Sequence, residues 1–377
     1  MLKWLAGQKI EVKLLLTVAV SICLPYFLVV IPLIVFVVFM FIKKEYRGTF
    51  LKPLHAKFLI GFAAIAVISP VIFRNQVGIL GGLFLLFVSF FILFAQQIMT
   101  RELYDKLIYL MCGLSFISFF IGLVQFIYEI LFAKVLYFRA VSTFFNTNYY
   151  AFFIEIIIIC AVYKLLTSED HRVFFAAVII LNFIGAWISK NRSIWLSLAV
   201  GILLVMLLLK KNKAFVVTLA AVIAVVAVVL ITPAVIPRFN SFGNNANTRV
   251  MIWRTGMMGI LDYPFFGRGL WSYILLSNEI GGKSALTAHN LLLDPLLNFG
   301  FVGVSMFLGF VAAKFAYVEK RLRISAVPEI ALVLGLTAAA LVHNLADLPI
   351  VGIQTPVMLF MFLTVPGLWR SDEALSG

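Results

Sequence analysis

Long apolar blocks fill this 377-residue chain, and short polar or charged stretches punctuate them. The blocks fall near 12–24, 26–42, 55–73, 77–99, 106–132, 149–166, 172–189, 193–209, 214–231, 290–317, 327–347 and 352–369. Most approach the roughly 20 residues with which an α-helix crosses about 30 Å of hydrocarbon. Lipid offers no partner to a backbone N–H or C=O, so such runs span as helices. The pattern predicts an all-α, polytopic bundle of about 12 transmembrane helices, with residues 1–377 forming a single integral membrane domain. Residues 12–42 are apolar throughout, too long for one upright helix, and broken at Pro25 and Pro32. They read as a short helical hairpin; one long kinked helix is the alternative, and it inverts everything downstream.

One segment breaks the rhythm. Residues 232–289 form the single long hydrophilic stretch, a large extracytoplasmic loop. It opens with Pro233, Pro237 and an Asn- and Gly-rich run through Asn247, all turn chemistry. From Thr248 to Leu261 the pattern turns helical, with Asn247 or Thr248 as N-cap and Pro264 beyond the end. Arg249, Trp253, Gly256 and Ile260 fall near one face, as in a short amphipathic helix lying on the membrane surface. Pro264-Phe265-Phe266-Gly267-Arg268-Gly269 then makes a tight turn, and Thr287-Ala288-His289-Asn290 leads into the next span.

Composition removes the soluble classes. Hydrophobic residues make up 63% and charged residues 12%, where a soluble chain carries about a quarter charged. The formal net charge of +14 suggests nucleic acid only in a soluble protein; here the positive-inside rule comes first. With twelve spans and both termini in the cytoplasm, twenty of the 30 Lys and Arg fall inside. The ten outer ones include Arg74, Lys134, Arg139, Lys190 and Arg192, and half lie in 232–289, whose acids are Asp262 and Glu279 alone. Outer loops have no topological reason to be basic, whereas an anionic ligand supplies one. Cys23, Cys112 and Cys160 each sit inside an apolar run, without metal or disulfide spacing. Lys3, Lys9 and Lys13 ahead of an apolar stretch resemble a signal sequence, but no small-residue cleavage site follows, so the segment reads as a retained anchor.

Several chemistries lack their signatures. No phosphate-cradling Walker loop, GxGxxG fingerprint or paired-aspartate DxD occurs, and His55, His171, His289 and His343 are far apart without metal spacing. The expectation is an enzyme without cofactor or metal, whose substrate arrives already activated and already in the membrane. Within the spans, His343 and Asp347, four apart, can pair with one another or relay protons. Glu155 is a lone intramembrane acid, and such residues are functional candidates by default; it can equally neutralise an outer arginine.

The order of motifs is more specific than any one of them. Arg249-x3-Trp253, Pro264-x2-Gly267-x-Gly269, Ala288-His289-Asn290 and Gly300-x2-Gly303 resemble the signature loop of the O-antigen ligase and O-antigen polymerase family of membrane glycosyltransferases. Upstream, Arg139 with Phe145-Asn146-Thr147-Asn148, and Lys190-Asn191-Arg192-Ser193, are similar to that family's outer turns. The likeness covers about 139–347; Asn191 and Asn298 depart from the family's commoner Ser and acid. The resemblance implies transfer of an oligosaccharide from undecaprenyl pyrophosphate to an acceptor glycan hydroxyl at the extracytoplasmic leaflet of a bacterial inner membrane. It implies that Arg192 and Arg249 bind the pyrophosphate and that His289 acts on the hydroxyl; the outer arginines Arg139 and Arg254 are expected to contribute to the pyrophosphate site. The chemistry agrees: a guanidinium grips phosphate oxygens in a bidentate fork, and histidine takes a proton near neutral pH. Asp294, five residues past His289, can orient it if Pro295 distorts the helix. The implied partners are the bilayer, the two glycans and other polysaccharide-assembly membrane proteins, with no nucleic acid.

Two other classes fit the same residues. A multi-span permease for an anionic solute or polysaccharide would use Glu155, His343 and Asp347 as coupling groups and tolerate a shortened 232–289 loop. A scaffold of an assembly complex would depend on no single arginine or histidine. Polymerase and ligase are left undivided by the sequence.

Overall fold

The computed structural model describes residues 2–135, 137–232, 242–322 and 328–364. Pro233, Pro237 and Arg238 of the predicted loop, Arg323, Arg370 and the last residues of the final predicted span lie outside the described residues. Every regular element among the described residues is a helix. Helices α1 (Ile10–Ser21) and α2 (Val30–Ile42) pack on one another, so the stretch broken at Pro25 is two helices and not one kinked rod. There follow α3 (Leu54–Ile72), α4 (Gln76–Ile98), α5 (Arg101–Leu131), α6 (Thr147–Thr167), α7 (Arg172–Ser189), α8 (Ser193–Leu208) and α9 (Asn212–Ile231). Then come α10 (Phe242–Asp262), the short α11 (Ser272–Glu279), α12 (Leu293–Leu322), α13 (Pro328–Ala346) and α14 (Gln354–Leu363). Eight of these, α3 to α7, α9, α12 and α13, are long and apolar enough to cross a membrane; α2, α8 and α14 are shorter apolar helices. The chain is a multi-span helical membrane protein.

Helix α6 is the axis of the bundle. Its residues from Tyr149 to Lys164 are buried on all sides, and it packs against α5, α7, α8, α13 and α14. The sequence dictates this, because Ala151–Val162 is apolar on every face apart from Glu155. Helix α9 is equally apolar yet has no buried residue; its Val, Ala, Leu and Ile side chains are ones lipid solvates.

The turn that follows α10 is packed onto the bundle through a broken helix. Inside α12, Gly300 adopts φ 61°, ψ −174° and interrupts the helical ladder. The groups released there find partners in the turn after α10: Phe301 N donates to Pro264 O (2.8 Å), Val302 N to Phe265 O (3.0 Å), and Asn298 O accepts from Gly269 N (2.8 Å). Irregular backbone at membrane depth requires such partners. The approach leaves no room for side chains: a Cβ on Gly267 (φ +62°) would lie 2.4 Å from Asn298 C, and one on Gly300 2.3 Å from Phe265 C. Ser69 Oγ donates to Gly267 O (2.7 Å) and Asn75 Nδ2 to Arg268 O (2.9 Å), tying the turn to α3 and α4.

Helix α10 differs from the expectation in length and orientation. It begins at Phe242 instead of Thr248. Ile252 and Ile260 on it pack with Tyr273, Leu276, Ala288 and Leu297 as a small second core, with Trp253 against it. The face that carries Arg249, Trp253, Gly256 and Ile260 therefore turns inward. The opposite face exposes Val250, Met251, Met257, Met258 and Leu261, with Arg254 among them.

Candidate functional site

A cleft of about 450 Å³ opens where α6 and α8 begin and α13 ends. Into it come Arg139 from the segment before α6, Lys190 and Arg192 from the α7–α8 turn, Arg249 from α10, His289 from the segment before α12, and Asp347 just past α13. Four of the residues singled out in the sequence, Arg139, Arg192, Arg249 and His289, thus meet from four separate parts of the chain.

Asparagines build the wall that carries the first two arginines. Asn146 accepts from Asn148 N (2.7 Å) and caps α6. Asn148 Oδ1 accepts from Arg139 Nη2 (3.2 Å) and Asn191 Nδ2 (2.8 Å), while Arg139 Nε donates to Ser189 O (3.2 Å). Asn191 Oδ1 in turn accepts from Ile194 N (3.2 Å) in the first turn of α8. Asn191, read in the sequence as a departure from the resembled family's commoner Ser, therefore caps the helix that Arg192 precedes. Lys190 is held in the left-handed region (φ 49°), with its Nζ over Phe126 and Tyr137 at 5.5 and 5.9 Å.

The opposite wall is electrostatic. Arg249 Nη2 donates to Asp347 Oδ1 (3.0 Å), and Ser193 Oγ donates to Asp347 Oδ2 (3.1 Å). This pair is partly wet, Arg249 being a third exposed, so the guanidinium is reachable from the cleft. His289 also sits in the left-handed region (φ 50°), a conformation that costs a non-glycine residue about 1–2 kcal/mol and clusters at functional positions. Its imidazole titrates below the ordinary histidine value; burial is the main cause, Arg249 acts in the same direction and Asp347 opposes both. A neutral imidazole at neutral pH is one that can accept a proton.

Asp294 does not orient the imidazole as the sequence suggested. Its Oδ1 accepts from Ala288 N (2.7 Å) and its Oδ2 from Asn298 Nδ2 (2.8 Å), so it fixes the backbone just before His289 and leaves the ring to the cleft. Asn298, the other departure from the family pattern, also accepts from Ser272 Oγ (2.8 Å) and links α11 to the break in α12. His343 and Asp347 do not pair through their side chains either. His343 Nδ1 lies 2.5 Å from Glu155 Oε2, which also accepts from Ser197 Oγ (2.5 Å), whereas Asp347 turns to Arg249 and Ser193. Each acid found a better partner across the bundle than along its own helix.

Arg254 stays outside the cleft. Five residues beyond Arg249, it points about 140° away around the helix and is exposed. Arg268 is engaged by Glu279 in a two-armed pair (2.7 Å twice) and stacks over Tyr263 at 5.0 Å. The site also contains residues that the sequence reading did not assign to it: Asp347, Ser193 and Asn148. Asp347 was reachable in principle, since an acid at the end of a span needs a named partner.

Fold and cleft together define a multi-span helical membrane protein with a cation-rich, histidine-bearing recess at one end. Residues 175–308, about a third of the chain, match the family model described as O-antigen ligase. The matched segment includes Arg192, Arg249 and His289 and ends before His343 and Asp347. No curated protein matches the chain.

Proposed function

We propose that the cleft moves an oligosaccharide from undecaprenyl pyrophosphate to a hydroxyl of an acceptor glycan, at the outer leaflet of a bacterial inner membrane. The match of residues 175–308 to the O-antigen ligase model supports a ligase- or polymerase-type glycosyltransferase of polysaccharide assembly. The observation that carries the finer reading is the convergence of Arg192, Arg249 and His289 in one cleft. One ring nitrogen of His289 takes the proton of the acceptor hydroxyl, and the freed oxygen attacks the anomeric carbon of the donor sugar. The bond from that carbon to the pyrophosphate oxygen breaks, its electron pair leaving with the pyrophosphate. Arg192 and Arg249 hold the departing charge, with Arg139 and Lys190 adding to the field. These cations take the place a divalent metal has in other transferases, so the reaction proceeds without one. Once undecaprenyl pyrophosphate departs, His289 releases its proton to water.

The topology that suits this chemistry has twelve spans, counting α1, α2, α8 and α14, with both termini in the cytoplasm and α10 at the outer surface. The apolar outer face of α10 would rest in the leaflet, with Arg254 at the lipid headgroups instead of the pyrophosphate. The permease alternative needs Glu155, His343 and Asp347 to form one coupling chain; Asp347 is instead engaged by Arg249 and Ser193. The test is a polysaccharide gel from cells lacking the protein, complemented with wild type or His289→Ala at matched expression. Single repeats on the carrier identify a polymerase, and long chains that stay on the carrier a ligase. A mutant profile equal to wild type contradicts the mechanism.

A further inference from the structure

The cleft stands on a second cluster that the reaction itself does not use. Helices α8 and α13 approach closely at Gly201 and Gly335: a Cβ on Gly335 would lie 3.0 Å from Gly201 O, and one on Gly201 2.9 Å from Ala339 Cβ. From that crossing the two helices run toward the cleft in register. On α8 the stripe is Gly201, Ser197, Ser193; on α13 and just past its end it is Gly335, Ala339, His343, Asp347, each a turn apart. The last two rungs have one design. Near the cleft, Asp347 accepts from Ser193 of α8 and from Arg249. One turn below, Glu155 of α6 accepts from Ser197 of α8 and pairs with His343 of α13. The lower rung is almost fully enclosed, with Glu155 at 1% exposure and His343 at 0%.

We propose that Glu155, Ser197 and His343 are positioning residues for the cleft: they pin the outer end of α13 to α6 and α8, so that Asp347 reaches Ser193 and holds Arg249 in place. This deepens the glycosyl-transfer reading and rests on it. The lever arm makes the effect large. Asp347 lies about 18 Å along the helix from the Gly335 crossing, at 1.5 Å per residue. A tilt of about 5° there displaces it by about 1.5 Å, enough to break a 3.0 Å contact to Arg249, and misplacements of about 1 Å can cost a hundredfold in rate. A carboxylate and an imidazole are directional partners, whereas an apolar pair at this depth would leave α13 free to tilt or rotate. No step of transfer passes through the Glu155–His343 pair.

The experiment uses the full chain in nanodiscs of phosphatidylethanolamine and phosphatidylglycerol, with turnover on a lipid-linked oligosaccharide and binding of geranylgeranyl pyrophosphate as separate readouts. Glu155→Leu is expected to lower turnover at least about tenfold and to weaken probe binding. Glu155→Gln and His343→Asn are expected to stay within about threefold of wild type. The glutamine oxygen still accepts from Ser197, and the asparagine amide occupies the place of Nδ1; the Nε2 it removes has no hydrogen-bond partner among the described residues. Because the rungs act through Asp347, Glu155→Leu added to Asp347→Asn should lower turnover no further than Asp347→Asn alone. If Glu155→Leu does not fold, His343→Leu against His343→Asn carries the same contrast, the first losing turnover and the second keeping it. Losses that multiply in the double variant, or Glu155→Gln as inactive as Glu155→Leu, overturn the proposal, as do apolar variants equal to wild type. A wild type that binds the probe without transferring sugar contradicts the glycosyl-transfer reading, while the binding contrast still decides the positioning role. A wild type that does neither overturns both.

Discussion

The two ends of α6 and α13 each border a charged recess, and the two recesses are opposites. At the far end, Arg101, Glu102, Asp105, Lys164 and Glu329 line a recess of about 720 Å³. There Arg101 Nε meets Glu329 Oε1 at 2.7 Å and Lys164 Nζ meets Asp105 Oδ1 at 2.5 Å, so both cations have a carboxylate partner and acids outnumber bases among the described lining residues. At the cleft, Arg139, Lys190, Arg192 and Arg249 line a smaller space of about 450 Å³ with Asp347 as the only acid among its lining residues. Volume alone would have picked the far end. Charge balance picks the cleft: the far-end pairs tie α5, α6 and α13 together, whereas the cleft's surplus positive charge suits a pyrophosphate.

The contrast is broken most easily at its strongest point. Arg249→Ala or Arg192→Ala should lower transfer by about 10²–10³-fold, the scale for losing one preorganised partner of a developing charge. Arg101→Ala at the far end should stay within about twofold. If the two ends respond alike in a reconstituted assay, charge balance is not what marks the site.

Asp347→Asn should cost less, about ten- to a hundredfold, because Arg249 is kept but is no longer held in place. It also sharpens the electrostatic account. On the proposed mechanism His289 is the base, so the rate is full above its pKa and falls as pH drops through it; with the pKa below the ordinary value, the acid limb of the wild-type profile should lie below about 6.5. Asp347 stabilises the imidazolium, so removing it moves that limb to lower pH. Arg249 destabilises the imidazolium, so Arg249→Met moves the limb to higher pH on whatever activity survives. Limbs that do not move, or that move the other way, contradict the arrangement of charges around His289.

The smallest effects come from residues that only look like parts of the site. Arg254→Ala should leave transfer within about threefold of wild type, since Arg254 faces away from Arg249 on the same helix. Lys164→Met should destabilise the protein by about 1 kcal/mol or less, because its partner Asp105 is 42% exposed and can hydrate. Thermal unfolding in nanodiscs measures the second, and turnover should not change with it.

How far the sequence could be read follows from what carries each feature. Apolar runs of sufficient length located the helices, because lipid makes length and composition decisive. Arg192, Arg249 and His289 were singled out because their motifs follow one another in the order the family resemblance implies, and the structure brings all three to one cleft. The break in α12 at Gly300 was invisible as conformation, although its glycines were part of the motif; only the docked Pro264–Gly269 turn explains why residues at Gly267 and Gly300 must lack side chains. The inward turn of α10 was missed because its two faces are both largely apolar, so periodicity could not say which meets lipid. Tertiary partners were least legible. The i, i+4 spacing joined His343 to Asp347, but Glu155 on α6 and Arg249 on α10 approach from elsewhere in the chain and offer the stronger pairs.

The most direct test of the central claim is transfer by the purified protein in vesicles, given an undecaprenyl-pyrophosphate oligosaccharide and an acceptor glycan with no nucleotide and excess chelator. Wild type should form the glycosidic product and release undecaprenyl pyrophosphate, and His289→Ala should lose at least about a hundredfold in turnover while still binding donor. His289→Ala that turns over at the wild-type rate, or a wild type that needs a nucleotide or a metal, would contradict the account.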